Sequence, residues 1–364
     1  MKNLQPVLIP RQLTLLLILS TGLLNHVMII PSILHASGRD GWISVIISYP
    51  VLILATFLIY YTLKNSPPEG FFHLLRAKWN KAFVWLFGLP VCLFLLASAY
   101  ITFVDLIIWL RAYFLADVPK LVIVIIMTFT CFLITWSGVK YMAIASGLLL
   151  PLVMIFGFFI AFTNTNMKDP SLLFPIFSDG FYPVYKGMIY VLSGLLEIYI
   201  IILLQPFSKG KIKMHHLIIL GLIFLGLIMG PLTASIMEFG YVEASKMRYP
   251  AYEQWRILGI GEFITHLDFF ALYQWLSGAV IRIGLFIFLL GFLITSSKNN
   301  YRMKLRVIVP LYVVFLSLLL VDIDTFYFYR FLYEFFFPFA VVFLLFQIIV
   351  SALIVKAFSL TGSR

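Results

Sequence analysis

The sequence predicts an all-α polytopic membrane protein of ten transmembrane helices, arranged as a five-plus-five inverted repeat with broken first and sixth helices. Three observations carry this prediction. The 364 residues are 62% hydrophobic and only 11% charged, with a mean hydropathy of +1.05. Soluble domains are roughly half apolar and a quarter charged, so one water-soluble core cannot hide this much apolar surface. The apolar residues fall into ten runs near the length of a membrane span. Finally, TGLLN at Thr21–Asn25 recurs as SGLLE at Ser193–Glu197, each inside an apolar run.

A span needs about 20 apolar residues. Runs bounded by charges, Gly/Pro clusters and turns lie near 12–34, 42–63, 83–111, 121–137, 141–162, 187–206, 216–237, 268–295, 307–321 and 331–355, the fourth and ninth being short. The leading MKNLQPVLIPRQ runs into the first span without a small-residue cleavage pattern, so a retained first helix is expected rather than a removed leader. Lys and Arg orient the spans. With the N-terminus in the cytoplasm, the inner segments hold Lys2, Arg11, Lys64, Arg76, Lys78, Lys81, Lys140, Lys209, Lys211, Lys213, Lys298, Arg302, Lys304, Arg306, Lys356 and Arg364, with Glu69 as their acid. The outer segments carry Asp40, Asp117, Asp169, Asp179, Glu243, Glu253, Asp322 and Asp324. The positive-inside rule then puts both termini in the cytoplasm. Arg282 is left within the eighth span.

Two outer segments are too long for tight turns. Residues 163–186 contain Pro170, Pro175, Gly180 and Pro183 and predict an irregular cover. Residues 238–268 mix charges with Tyr249, Tyr252, Trp255, Ile257, Leu258 and Phe263, and their second half predicts a helix at the outer interface. The whole chain, 1–364, reads as one membrane domain, with repeats at 1–162 and 163–355.

Composition also excludes classes. The net charge of +11 comes from basic residues spread between apolar runs, with no finger or recognition helix, so no nucleic-acid partner is expected. Cys92 and Cys131 lie in apolar runs and the six histidines are scattered, so neither a disulfide, a metal nor a cofactor is expected. No Ser–His–acid set or phosphate loop appears, so an enzyme is not expected.

If TGLLN and SGLLE correspond, the first span matches the sixth. Five spans per unit is an odd number, so the second unit enters the membrane inverted, as in many secondary transporters. Glycine weakens a spanning helix, and opened backbone at that depth survives only where it lines a cavity or is buried in protein. Paired breaks would present N–H groups to a carboxylate and carbonyls to a cation or ammonium. The candidate ligand site is therefore Thr21, Gly22, Leu23 and Asn25 with Ser193, Gly194, Leu195 and Glu197, joined by Tyr100 and Val104 of the third span and Ser277 of the eighth. Trp109 and Arg111 read as interfacial anchors. Glu197 is costly near mid-membrane, so it faces a cavity, pairs with a cation or is protonated. Its roles as glue between helices and as a ligand, proton or gating residue both stand.

Further stretches carry a resemblance. They are Pro10-Arg11-Gln12, Gly38-Arg39-Asp40-Gly41-Trp42, Pro183 with Lys186-Gly187, and Phe239-Gly240 followed by Ala244 to Glu253, Arg256 and Ile260 to Ile264. Together and in order, the chain resembles the B subunits of spore germinant receptors, within the amino acid–polyamine–organocation transporter superfamily. The resemblance implies a LeuT-like fold and a small nutrient germinant, often an amino acid, at the broken helices. It also implies a larger A subunit and a lipoprotein C subunit as partners, in the inner membrane of a bacterial endospore. The family pattern places a small residue directly before the sixth-helix glutamate; here that residue is Leu196, and the glycine is displaced to Gly194. A proton- or sodium-coupled amino acid transporter and a structural subunit that binds nothing are the competing readings.

Overall fold

The computed structural model describes residues 6–259, 267–295 and 302–361, and side chains as far as 358. Sequence expectations for Lys2, Lys298, Phe263, Ile260 to Ile264 and Arg364 lie outside the described residues. The helices are α1 (Pro10–Leu23), α2 (Ile30–Ser37), α3 (Gly41–Asn65), α4 (Phe71–Lys78), α5 (Lys81–Tyr113), α6 (Lys120–Ser137), α7 (Val139–Thr163) and α8 (Tyr182–Leu195). They continue as α9 (Ile200–Leu204), α10 (Met214–Lys246), α11 (Pro250–Arg256), α12 (Phe269–Thr295), α13 (Leu305–Leu319), α14 (Thr325–Phe331) and α15 (Phe337–Thr361). Among the described residues, eight helical stretches are long and apolar enough to cross a membrane, and α13 is a shorter apolar helix. One stretch, Pro10–Asn65, is 56 residues long. It is divided at Gly38, whose φ of +52° only glycine adopts readily. The protein is thus a polytopic helical membrane protein, and each of the ten predicted segments falls on helix.

The two segments that carry the motif both change from α-winding shortly after the glycines where breaks were expected. A π-helical turn, Leu24–Met28, separates α1 from α2, and the Ile29 N–H donates to Leu24 O at 3.2 Å. A 3₁₀ turn, Leu196–Tyr199, separates α8 from α9. The backbone stays in right-handed helical angles at both places: Leu24 has φ −58° and ψ −49°, and Leu196 has φ −71° and ψ −10°. The helices are therefore rewound, not opened. α8 also runs through Gly194, so the winding changes two residues later than the glycine would suggest.

These two segments are fastened together along their length. At the N-terminal end the N–H groups of Val7 and Leu8 both donate to Phe207 O, at 3.0 and 2.9 Å, and Leu8 pairs with Ser208. At mid-length a Cβ on Gly194 would overlap the Asn25 amide oxygen. At the opposite end a Cβ on Gly187 would overlap the hydroxyls of Ser37 and Ser44. Small residues thus let the backbones approach closely, as in other membrane helix pairs.

The predicted irregular cover is present. Residues 164–167 and 170–173 form 3₁₀ turns, and the Asp169 N–H donates to Met237 O at 2.9 Å. Asp40 accepts from the Phe177 N–H at 2.9 Å, which ties the cover to the turn before α3. The second long segment differs from expectation. The run Met214–Lys246 is two helices that meet at Gly240, whose φ of +74° and ψ of 150° are non-helical, so the seventh span ends there and a short helix follows to Lys246. α11 then buries Tyr252 and Trp255 against the bundle, so its aromatic residues face protein rather than a membrane surface.

Candidate functional site

Glu197 lies in the 3₁₀ turn between α8 and α9 and forms an ion pair with Arg282 of α12. Arg282 Nη1 and Nη2 donate to Glu197 Oε2 and Oε1, both at 2.6 Å. The two side chains are 2% and 1% exposed. Arg282 Nε donates to Thr102 Oγ1 of α5 at 3.0 Å, and Thr102 Oγ1 in turn donates to Ser98 O at 2.7 Å. The guanidinium carbon sits 4.4 Å from the centre of the Phe286 ring. A planar fork meeting a carboxylate in this bidentate way is the strong form of an ion pair. Of the three fates expected for Glu197, the structure selects pairing with a cation. The pair joins three elements, α5, the turn after α8, and α12.

The other predicted site residues divide into groups. Thr21, Gly22 and Leu23 close α1, and Asn25 lies in the π turn; all four are buried. The Thr21 hydroxyl and both Asn25 amide atoms have no hydrogen-bond partner. Asn25 packs on Gly194, and Gly278, next to Ser277, abuts Leu23 with a prospective Cβ contact of 3.1 Å. Ser193 bonds back to its own helix, to Tyr190 O at 2.6 Å. Leu195 is fully buried, and Val104 is half-buried against the core. Tyr100 is spent elsewhere: its hydroxyl donates to Leu318 O of α13 at 3.2 Å. Arg282 completes the picture but was absent from the candidate set, whereas Trp275 of the eighth span was expected near the pocket and does line the adjoining cavity. The cost that marked Glu197 applies equally to Arg282, the cation stranded in the eighth span, and would have paired them.

A cavity of about 510 Å³ adjoins this centre. Its walls come from α1 and the π turn, α7, α10, α11 and α12, whereas the predicted pocket lay between the first, third, sixth and eighth spans. Gly22 and Leu23 belong to both. Gly22, Gly157, Gly226, Gly230 and Gly278 all line it, so missing side chains make the space. Its polar groups are few, and they include the Lys168 ammonium, which donates to Ala161 O at 2.6 Å. His26 Nδ1 lies 3.3 Å from Leu227 O, Gln274 Nε2 donates to Val153 O at 2.9 Å, and Gln254 Nε2 donates to Ser235 Oγ at 2.8 Å. An apolar chamber of this size with a few placed polar groups fits a small organic ligand.

Side-chain and backbone ties lie at both ends of the centre. At the N-terminal end the Phe207 and Leu8 tie is joined by Gln205 Nε2 donating to Leu63 O at 2.9 Å. At the opposite end Arg248 Nη2 donates to Asp105 Oδ1 at 2.8 Å, and its guanidinium lies 3.4 Å from the Tyr329 ring centre. The hydroxyls of Tyr249 and Tyr329 meet at 2.7 Å and both reach Asp105 Oδ1. Trp109 stacks on Trp275 at 4.3 Å and 7°. Trp109 is fully buried, so it is not an interfacial anchor: Tyr252 of α11 packs edge-on against it at 5.4 Å and removes it from any surface.

The sequence pattern of a family described as spore germination proteins, the spore permeases, matches residues 8–326. Over 318 residues the chain is 37% identical to spore germination protein XB of Bacillus anthracis, spanning 87% of this chain and 89% of that one. The chain belongs to the spore germination protein family.

Proposed function

We propose that this family member is the membrane subunit of a spore germinant receptor. It binds a small nutrient germinant, an amino acid, and passes the event to A- and C-type partner subunits. It does so in the inner membrane of the endospore with both termini toward the core, as a ten-crossing inverted repeat. One observation carries the binding reading: a ligand-sized cavity is walled by the same α1 end and π turn that carry the repeated motif. A ligand there touches Gly22, Leu23 and His26, one helix face away from the Asn25–Gly194 contact. Binding signals only if the ligand prefers one conformation over another. The tied state described above then supplies one of the two, and loosening of the Asp105–Arg248 cover supplies the other.

The mid-bundle Glu197–Arg282 pair favours a second reading, a proton- or sodium-coupled amino acid transporter, because buried charges in spans mark ion pathways in transporters. One experiment separates them. The purified subunit is screened by thermal shift against amino acids, sugars and nucleosides, then reconstituted in liposomes with the labelled hit. Stabilisation without accumulation supports the receptor. Accumulation transfers the case to the transporter. Failure of any nutrient to stabilise the protein removes the binding role. Gly22→Trp fills the cavity, where even a Cβ sits 3.2 Å from Leu227 Cδ1, and is expected to abolish the shift while the protein still inserts.

A further inference from the structure

A second cavity, of about 280 Å³, lies at the N-terminal end of the bundle, away from the centre described above. α4 and the start of α5 form its rim, and Leu293 near the end of α12 forms its back. α4 is an amphipathic helix of about two turns: Phe71, Phe72 and Leu75 are buried, while His73, Arg76 and Lys78 are exposed. Asn80 caps α5 by accepting from the Phe83 N–H at 2.9 Å, which sets the angle between the two helices. This corner places two cations, Arg76 and Lys81, and two tryptophans, Trp79 and Trp85, on one cavity.

The cavity has a polar mouth and an apolar floor. Arg76 Nη2 donates to Leu293 O at 2.6 Å, which fixes the guanidinium at the rim. The floor is Phe72, Val84, Gly88 and Cys92. Outside it, the face of α5 continues through Leu86, Leu89 and Leu93, all exposed. No acidic residue lies between Glu69 and Asp105 in the sequence, and among the described residues Arg76, Lys78 and Lys81 form no ion pair. Basic pockets between membrane helices, flanked by tryptophan, recognise anionic lipid headgroups.

We propose that this corner is a binding site for an anionic phospholipid, its phosphate held by Arg76 and Lys81, its glycerol against Trp79 and Trp85, and an acyl chain running past Gly88 onto the exposed leucines of α5. The site is independent of the germinant cavity. A lipid held there braces α4 against α12 at the end of the protein where the N-terminal tie also lies.

The test uses the full chain, purified in detergent and examined by native mass spectrometry with phosphatidylglycerol, phosphatidylcholine or inorganic phosphate. Retention of phosphatidylglycerol over phosphatidylcholine is expected. Each interfacial cation contributes about fivefold to affinity, so Arg76→Gln with Lys81→Gln lowers retention by about 30-fold. Gly88→Leu keeps every charge but fills the floor; a Cβ there sits 3.5 Å from Phe72 Cε1, an ordinary contact, and an unchanged melting temperature checks that the variant folds. It is expected to lose the lipid as well. Lys120→Gln, at the opposite end, leaves retention unchanged. Equal retention of phosphatidylcholine, full retention by the double variant, or full retention by Gly88→Leu would each overturn the proposal. Displacement of the lipid by millimolar inorganic phosphate would make the site a phosphate site and refute the lipid assignment.

Discussion

Removing one half of the Glu197–Arg282 pair is expected to harm the protein more than removing both. The two side chains are almost fully buried and joined by two contacts of 2.6 Å. Deleting one partner of such a pair leaves an uncompensated buried charge and costs about 3–5 kcal/mol. Replacing both with apolar residues of similar volume is often neutral, within about 2 kcal/mol. Thr102 does not add to the loss, because its hydroxyl keeps its bond to Ser98 O. The single variants Glu197→Met and Arg282→Met are therefore compared with the double variant. Glu197→Met is expected to be the worse single change, since a guanidinium cannot shed its charge whereas a carboxylate can take up a proton. Thermal unfolding of the purified protein in detergent reads the difference. The expected loss for Glu197→Met is roughly 5–15 °C, with the double variant recovering most of it. Singles that melt with the wild type, or a double variant as low as the sum of the singles, would refute the argument that the charges sustain one another. The recovered double variant then isolates function: if the pair couples binding to output, it folds but no longer responds.

Gly194→Ala forces a methyl group into the Asn25 amide and is expected to cost about 1–3 kcal/mol, measured as the same melting shift, with Asn25→Ala restoring the loss. Asn25→Leu removes two buried amide atoms that have no partner. It should therefore raise ligand-free stability by about 1–3 kcal/mol; a loss of stability would refute the reading that the buried amide is unpaired. Arg248→Gln removes the cation from Asp105, whose side chain is 1% exposed and keeps the Tyr249 and Tyr329 hydroxyls, and should loosen the Tyr249–Tyr329 cover. A thiol at Ser277→Cys should then label faster than in the Arg248 parent, and an unchanged labelling rate would remove the cover as a gate. Both native cysteines are buried, so the background is low.

The membrane architecture was legible because apolar run length and loop charge are properties of single segments. The repeated motif was legible too, and α-winding changes just after each copy of it, though a further π turn at Leu332–Phe336 carries no such motif. The kind of failure was not. A π turn at Leu24–Met28 and a 3₁₀ turn at Leu196–Tyr199 differ by how each backbone meets its neighbours, and glycine position alone does not encode that. Arg282 was visible as a stranded cation and Glu197 as a stranded anion; only the step of pairing them was missing. The Asp105, Arg248, Tyr249 and Tyr329 cluster is different in kind, since three separate segments supply it and none is unusual alone. Trp109 misled because a tryptophan near a helix end reads as a membrane anchor unless a covering helix such as α11 is known.

The threefold fastening of the α1–α2 and α8–α9 segments restricts how this protein can move. Ties at Leu8 with Phe207, at Asn25 with Gly194 and at Ser37 with Gly187 leave neither segment free to swing without the other. If a ligand displaces α1, as the proposed function requires, these contacts carry the displacement toward the short arm Ser208 to Lys213 that follows α9. That arm carries Lys209, Lys211 and Lys213. A spectroscopic label on it would report occupancy of a chamber it never touches, and a partner protein resting on it would need no contact with the nutrient to learn that it had arrived.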